Sequence, residues 1–174
     1  MPQDHSPSLL TDHVRRFGRY NRWANRRLYD ACAQLAPADY HAPRPSFFGS
    51  IHATLNHLLV GDSIWFGRFT GNVPTHLTRL DMILHEDLSS LRAARTAKDE
   101  EIVAFCDRLD DAKLNDTFSY ANMAGQRFTD PLFPPLMHFF NHQTHHRGQV
   151  HGLLSQAGVS PPELDLIYFM RQPA

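Results

Sequence analysis

Cysteine is nearly missing from this chain, with only Cys32 and Cys106 in 174 residues. Two thiols so far apart match no metal or redox spacing, which excludes a disulfide scaffold and a cysteine metal ribbon; both read as small buried hydrophobes in a reducing compartment. No run approaches the roughly 20 apolar residues that cross a bilayer. The opening residues lack the charged start and apolar stretch of a secretory signal. The expected address is therefore cytoplasmic, with no membrane partner. Neither charge sign is in excess: 17 basic against 18 acidic residues leave a formal net charge of −1, so no global field draws nucleic acid or an anionic surface. No Ser-His-Asp or Cys-His arrangement is evident, and neither cysteine has the electropositive setting of a nucleophile.

Proline is present but confined. Its twelve copies fall at 2 and 7, at 37, 43 and 45, at 74, at 131, 134 and 135, at 161 and 162, and at 173. Each would break a helix interior, so the tracts between them can stay helical. Apolar residues recur at three and four over 8–36, about 47–70, about 85–110 and about 134–157, which predicts four helices. A chain of 174 residues, 42% of them hydrophobic, encloses one good core and leaves little for a second, so a single domain over 1–174 is expected. On the first helix the seam Leu10, Val14, Phe17, Asn21, Ala24, Leu28, Ala31 and Leu35 alternates steps of four and three, as in a bundle. Its polar member, Asn21, either fixes register or stands beside a polar site at the bundle centre. The last helix repeats the arrangement, with Gln143 and His146 between apolar ends, and Gly148 and Gly152 there would admit a close neighbour. Between the third and fourth helices, residues 114–130 lose helical periodicity and carry an Asn-Met-Ala-Gly turn, which predicts a short β-hairpin or extended excursion. Gly158, before Val-Ser-Pro-Pro, ends the last helix.

Histidine is what the chain has in quantity. Five of its twelve stand at 138, 142, 145, 146 and 151. His142 and His146, four apart, lie about 40° from each other around a helix, one turn above the other, and can chelate a single divalent cation. On the second helix, capped by Ser50, His57 is flanked by Ala53 and Gly61 on its own face and has room for a ligand beside it. His52 is off that face. So is Asp62, which is expected to pair with an arginine of the first helix. His138 and His145 stay open as alternative ligands on the last helix. Three imidazoles with one position free form the catalytic rather than the structural type of metal site.

Several of these segments together resemble the DinB-like (damage-inducible) family of bacterial four-helix proteins: Tyr20-Asn-Arg-Trp-Ala-Asn25, His57-Leu-Leu-Val-Gly-Asp-Ser-Ile-Trp65, Asn141-His-Gln-Thr-His-His-Arg-Gly-Gln149 and the closing Leu164-Asp-Leu-Ile-Tyr-Phe-Met-Arg171. The resemblance spans nearly the whole chain, and the histidine-rich segment is its specific part. It implies an all-α, up-down-down-up four-helix bundle holding zinc or nickel through His57, His142 and His146. It also implies activation of a low-molecular-weight thiol, such as bacillithiol or mycothiol, toward an electrophile, or of water. Arg147, beside these histidines, is a possible contact for a substrate carboxylate, or else an inter-helix partner. A homodimer is expected from the apolar outer helices. Two alternatives stand beside the enzyme: a non-catalytic metal or small-ligand binder in a stress response, and a nucleic-acid contact along the stripe Arg15, Arg19, Arg22 and Arg26. That stripe is otherwise expected to pair with acids of the third helix such as Asp87, Glu100 and Glu101.

Overall fold

Each of the first three long helices begins where a short polar side chain can accept from the exposed backbone of its first turn. Ser8 Oγ accepts from Thr11 N to open α1 (Leu9–Cys32), Ser50 Oγ from Ala53 N to open α3 (Ile51–Thr70), and Asp87 from Ser90 N to open α4 (Leu88–Asp107). The fourth, α6 (Phe133–Gln156), starts on prolines instead, whose missing N–H is no loss at that position. In this computed structural model, which describes residues 8–172, three one-turn helices join them: α2 (Pro37–His41), α5 (Asp111–Asn115) and α7 (Leu166–Met170). These three were not expected from the sequence, since five residues are too few to display a helical period. The expected hairpin is present as β1 (Thr117–Ala121) and β2 (Arg127–Pro131), antiparallel, with Tyr120 opposite Phe128. Gly71 at φ 75° closes α3 and Gly158 at φ 77° follows α6, left-handed positions that glycine adopts freely.

The packing gives the topology. α1 and α3 each lie against both α4 and α6, so consecutive long helices α1 and α3 sit on a diagonal. Arg22 meets Glu100 while Asp30 meets Arg92, so α1 and α4 are antiparallel. Phe17 meets Phe140 while Asn21 meets Arg147, so α1 and α6 run parallel. Asp62 meets Arg95 and Phe66 meets Phe105, so α3 and α4 also run parallel. The bundle is up-down-down-up. The hairpin lies along the far end of α3, with Tyr120 at 5.5 Å from Trp65 and Phe118 at 5.8 Å from Phe69 between ring centres. α7 closes over α1 through Phe169, which packs on Tyr20 and Trp23. Among the described residues no helix is long and apolar enough to cross a membrane.

The two larger apolar cores, one around Leu28, Leu55 and Leu154 and one around Val14, Ile102 and Phe139, accompany a buried polar belt that draws on all four long helices. Arg95 pairs with Asp62 and, at 2.9 Å, with Asp99; Asp99 accepts from Asn21 at 3.2 Å and Asn25 at 2.9 Å. Arg147 donates to Asn21 and, at 3.3 Å each, to Asn25 and Gln143. Two guanidinium groups and two carboxylates balance formally, as buried ions must. Asp62 therefore pairs with α4 and not, as expected, with an arginine of α1. Asn21 belongs to this belt. Gly148 and Gly152 also depart from expectation, because nothing stands within 4 Å of where their side chains would begin.

Candidate metal centre

His57 on α3 and His142 and His146 on α6 turn their rings toward one another across the interface of those two helices. The Nε2 atom of His57 lies 3.1 Å from that of His146 and 3.4 Å from that of His142, and the latter two are 3.1 Å apart. Among the described residues this is the one group of three or more histidine, cysteine or acidic donor atoms gathered this closely.

Hydrogen bonds on the far side of two rings decide what points inward. His57 Nδ1 is 2.8 Å from the carbonyl oxygen of Leu80, which can only accept, so the neutral ring carries its proton there and presents an Nε2 lone pair to the cluster. His146 Nδ1 donates in the same way to Gln149 Oε1 at 2.8 Å. Two lone pairs then face each other at 3.1 Å, a repulsive arrangement that a shared cation would resolve. The fit is good: nitrogens 3.1–3.4 Å apart are spaced as three donors that would share one cation at the usual Zn–N distance of about 2.0–2.1 Å.

Burial and mutual repulsion keep the imidazoles neutral, as ligation requires. Desolvation first, then the neighbouring histidines, push His142 down to about 3. Burial, with His57 and His145, takes His146 to about 4 against the Gln149 hydrogen bond. Burial lowers His57 too, opposed by the Leu80 carbonyl.

The sequence around the rings makes room for them. A side chain at Gly61 would begin 3.1 Å from His142 Cε1, so glycine there lets α6 bring His142 against α3. Phe48, in the segment leading into α3, stacks on His57 with ring centres 3.9 Å apart and covers one side of the cluster. Two cavities reach it. One of about 460 Å³ is lined by Phe47, Phe48, Asp81 and the three histidines, and another of about 380 Å³ by His57, His142, Trp65 and Arg68.

The other histidines stand outside the cluster. His138 is exposed, 5.1 Å from the Trp65 ring and 6.0 Å from His142 by ring centres. His145 is exposed as well and touches the Gln149 amide at 3.2 Å, which links it to His146 at one remove. His52 bonds Tyr40 OH at 3.3 Å. Arg147 is 2% exposed and hydrogen-bonded within the polar belt, which gives it the inter-helix role. Both cysteines are buried, with thiols pushed up to about 12 by desolvation, far from a thiolate at neutral pH. Sequence reasoning missed Phe48 and Leu80 as parts of the site. Leu80 acts through its backbone carbonyl, which leaves no trace in residue identity. Phe48 falls in the stretch expected to be helical from about residue 47, but α3 begins only at Ile51 after its Ser50 cap, and Phe48 lies in the segment before it.

A family model described as the DinB family matches residues 9–173. Protein DinB of Bacillus subtilis (strain 168) is 26% identical over 168 residues, covering 92% of this chain and 96% of that protein. With a bundle of this topology and a match along nearly its whole length, the chain belongs to the DinB family.

Proposed function

We propose that His57, His142 and His146 hold one divalent cation, zinc or nickel, and that the protein is a metal-dependent enzyme acting as a thiol S-transferase or a hydrolase. The observation that carries this reading is the convergence of three Nε2 atoms, from buried His57 and His146 and half-buried His142, with the Nδ1 partners of His57 and His146 favouring a ring proton on the far side of each. A cation held by three imidazoles keeps a position for a small thiol or water and lowers its pKa toward neutrality. The protein's own groups do the rest. Leu80 and Gln149 hold the rings in one tautomer and raise their basicity as ligands. Phe48 shields one flank from solvent, and the two cavities give a thiol and an electrophile separate approaches. A thiol supplied from outside is needed, because neither buried cysteine can serve. Low-molecular-weight thiols such as bacillithiol or mycothiol are the class that the family resemblance implies.

The arginine stripe supports this reading over a nucleic-acid contact. Arg19 pairs with Asp107 at 2.8 Å, Arg22 with Glu100 at 2.8 Å, and Arg15 donates to the Leu109 carbonyl. The test is metal content and turnover together, on untagged protein. Near-stoichiometric metal, with conjugation of a small thiol to a chromogenic electrophile that a chelator abolishes, is the expected result. Metal without turnover against any thiol or hydrolysable substrate would reduce the protein to a binder.

A further inference from the structure

The smaller cavity beside the histidines contains a cation that the fold leaves unmatched. Arg68, on α3, lies with its guanidinium 4.5 Å from the centre of the Trp65 ring and 5.8 Å from that of Tyr120. Its Nε is buried without a hydrogen-bond partner. Among the described residues no carboxylate pairs with it within 4.0 Å. The nearby acid on the hairpin, Asp130, is occupied instead by Tyr120 OH at 2.9 Å. Burial holds Arg68 below the ordinary arginine range, with only the Tyr120 phenol opposing it, and His138 is lowered first by burial and then by the Arg68 charge. A partly desolvated guanidinium without a counter-ion is costly in a folded chain. It recurs where an anion arrives from outside, since its planar fork matches a carboxylate.

We infer that this cavity receives a small substrate bearing a carboxylate, which Arg68 binds, while Trp65 and Met123 pack against its apolar body and its other end reaches His57 and His142. The inference rests on the metal reading above and names the class of molecule that the centre takes. At about 380 Å³ the cavity is near the lower end of the roughly 300–1,000 Å³ typical of ligand pockets, which suits a small molecule and not a polymer. Its lining offers one guanidinium and no second permanent cation, which matches a monoanionic carboxylate better than a phosphate.

Para-mercaptomethylbenzoate and its neutral amide test this on zinc-loaded protein by calorimetry at about pH 8, where imidazoles are uncharged. Benzoate and benzamide on metal-free protein form a second arm. The acid should bind about 10- to 100-fold more tightly than the amide in both arms, the range for one charge-assisted arginine pair. Arg68→Gln should erase that preference while leaving amide affinity, zinc content and helicity unchanged, and Arg68→Lys should keep part of it. Equal affinities for acid and amide in the native protein, or a preference that survives Arg68→Gln, would overturn the inference. A chain that takes up no zinc yet still prefers benzoate would retire the metal reading and leave the Arg68 site standing. Zinc uptake without acid preference would do the reverse.

Discussion

At Gly61 one hydrogen atom decides how closely two helices bring their imidazoles together. Alanine there would ordinarily stabilise a helix interior by about 1 kcal/mol, but its Cβ would stand 3.1 Å from His142 Cε1, so the ring must move by a few tenths of an ångström. Gly61→Ala is therefore expected to keep or raise the melting temperature of the metal-free protein while weakening zinc binding about tenfold, as tightly fixed ligand geometry implies; calorimetry and a thermal melt separate the two effects. The imidazoles themselves set a pH dependence. Their folded pKa values lie below the ordinary 6.5, at about 3 for His142 and about 4 for His146, with His57 lowered by burial as well, so protons compete with a metal less than they would at ordinary imidazoles. Zinc affinity should fall far less from about pH 7 to about pH 5 than it would with three imidazoles of ordinary pKa near 6.5, each of which would cost more than tenfold over that range. For the same reason these rings add stability to the metal-free fold above about pH 6.5, and that contribution is lost as pH falls toward about 3. A steep loss of zinc already at about pH 6 would contradict this account of their burial.

Among the elements, α3 carries most of what matters: His57, Gly61, Asp62 and Arg68 all project from it. Its start depends on Ser50, whose hydroxyl accepts from Ala53 N at 3.0 Å. Ser50→Ala should cost about 1 kcal/mol, a fall of roughly 2–4 °C in melting temperature for a domain of this size, with zinc stoichiometry retained because His57 lies in the helix's second turn. This element was largely legible in the sequence, from its cap to the small residues around His57, because a long amphipathic helix repeats its pattern enough times to be read. The pairing of His142 with His146 was legible for the same reason, since a step of four fixes which side chains share a face. What stayed hidden depends on contacts between distant segments. The carbonyl of Leu80 has no side-chain signature, and the one-turn helices α2, α5 and α7 have no period. A buried arginine such as Arg147 looks, in sequence, the same as one waiting for a substrate. The apolar alternation that marked α1 and α6 also left Asn21 and Gln143 as unexplained polar members until the belt around Arg95 and Arg147 supplied their partners.

For the molecule as a whole, that belt is what ties the four helices into one register. Arg95→Met should cost about 3–5 kcal/mol, since it strands two buried carboxylates, a large share of the roughly 5–15 kcal/mol that a domain possesses. Burial already raises Asp62 to about 6 even with Arg95 beside it, and raises Asp99 as well. Without the guanidinium both would rise further. Carboxylates whose folded pKa exceeds the unfolded one stabilise at low pH and lose that contribution as pH rises, so the variant should recover relative to the native chain as pH is lowered toward about 5; urea melts at several pH values would show it, and a deficit independent of pH would not fit. The belt holds α3 and α6 in place, and their alignment is what brings the three imidazoles to one point. X-ray absorption at the zinc edge on loaded, untagged protein tests that convergence most directly, run alongside metal content of His57→Ala. Three imidazole nitrogens at about 2.0–2.1 Å with one further light-atom ligand not supplied by the protein, and loss of metal in the variant with its helicity intact, is the predicted result. Four protein ligands around the zinc, or undiminished metal in His57→Ala, would contradict it.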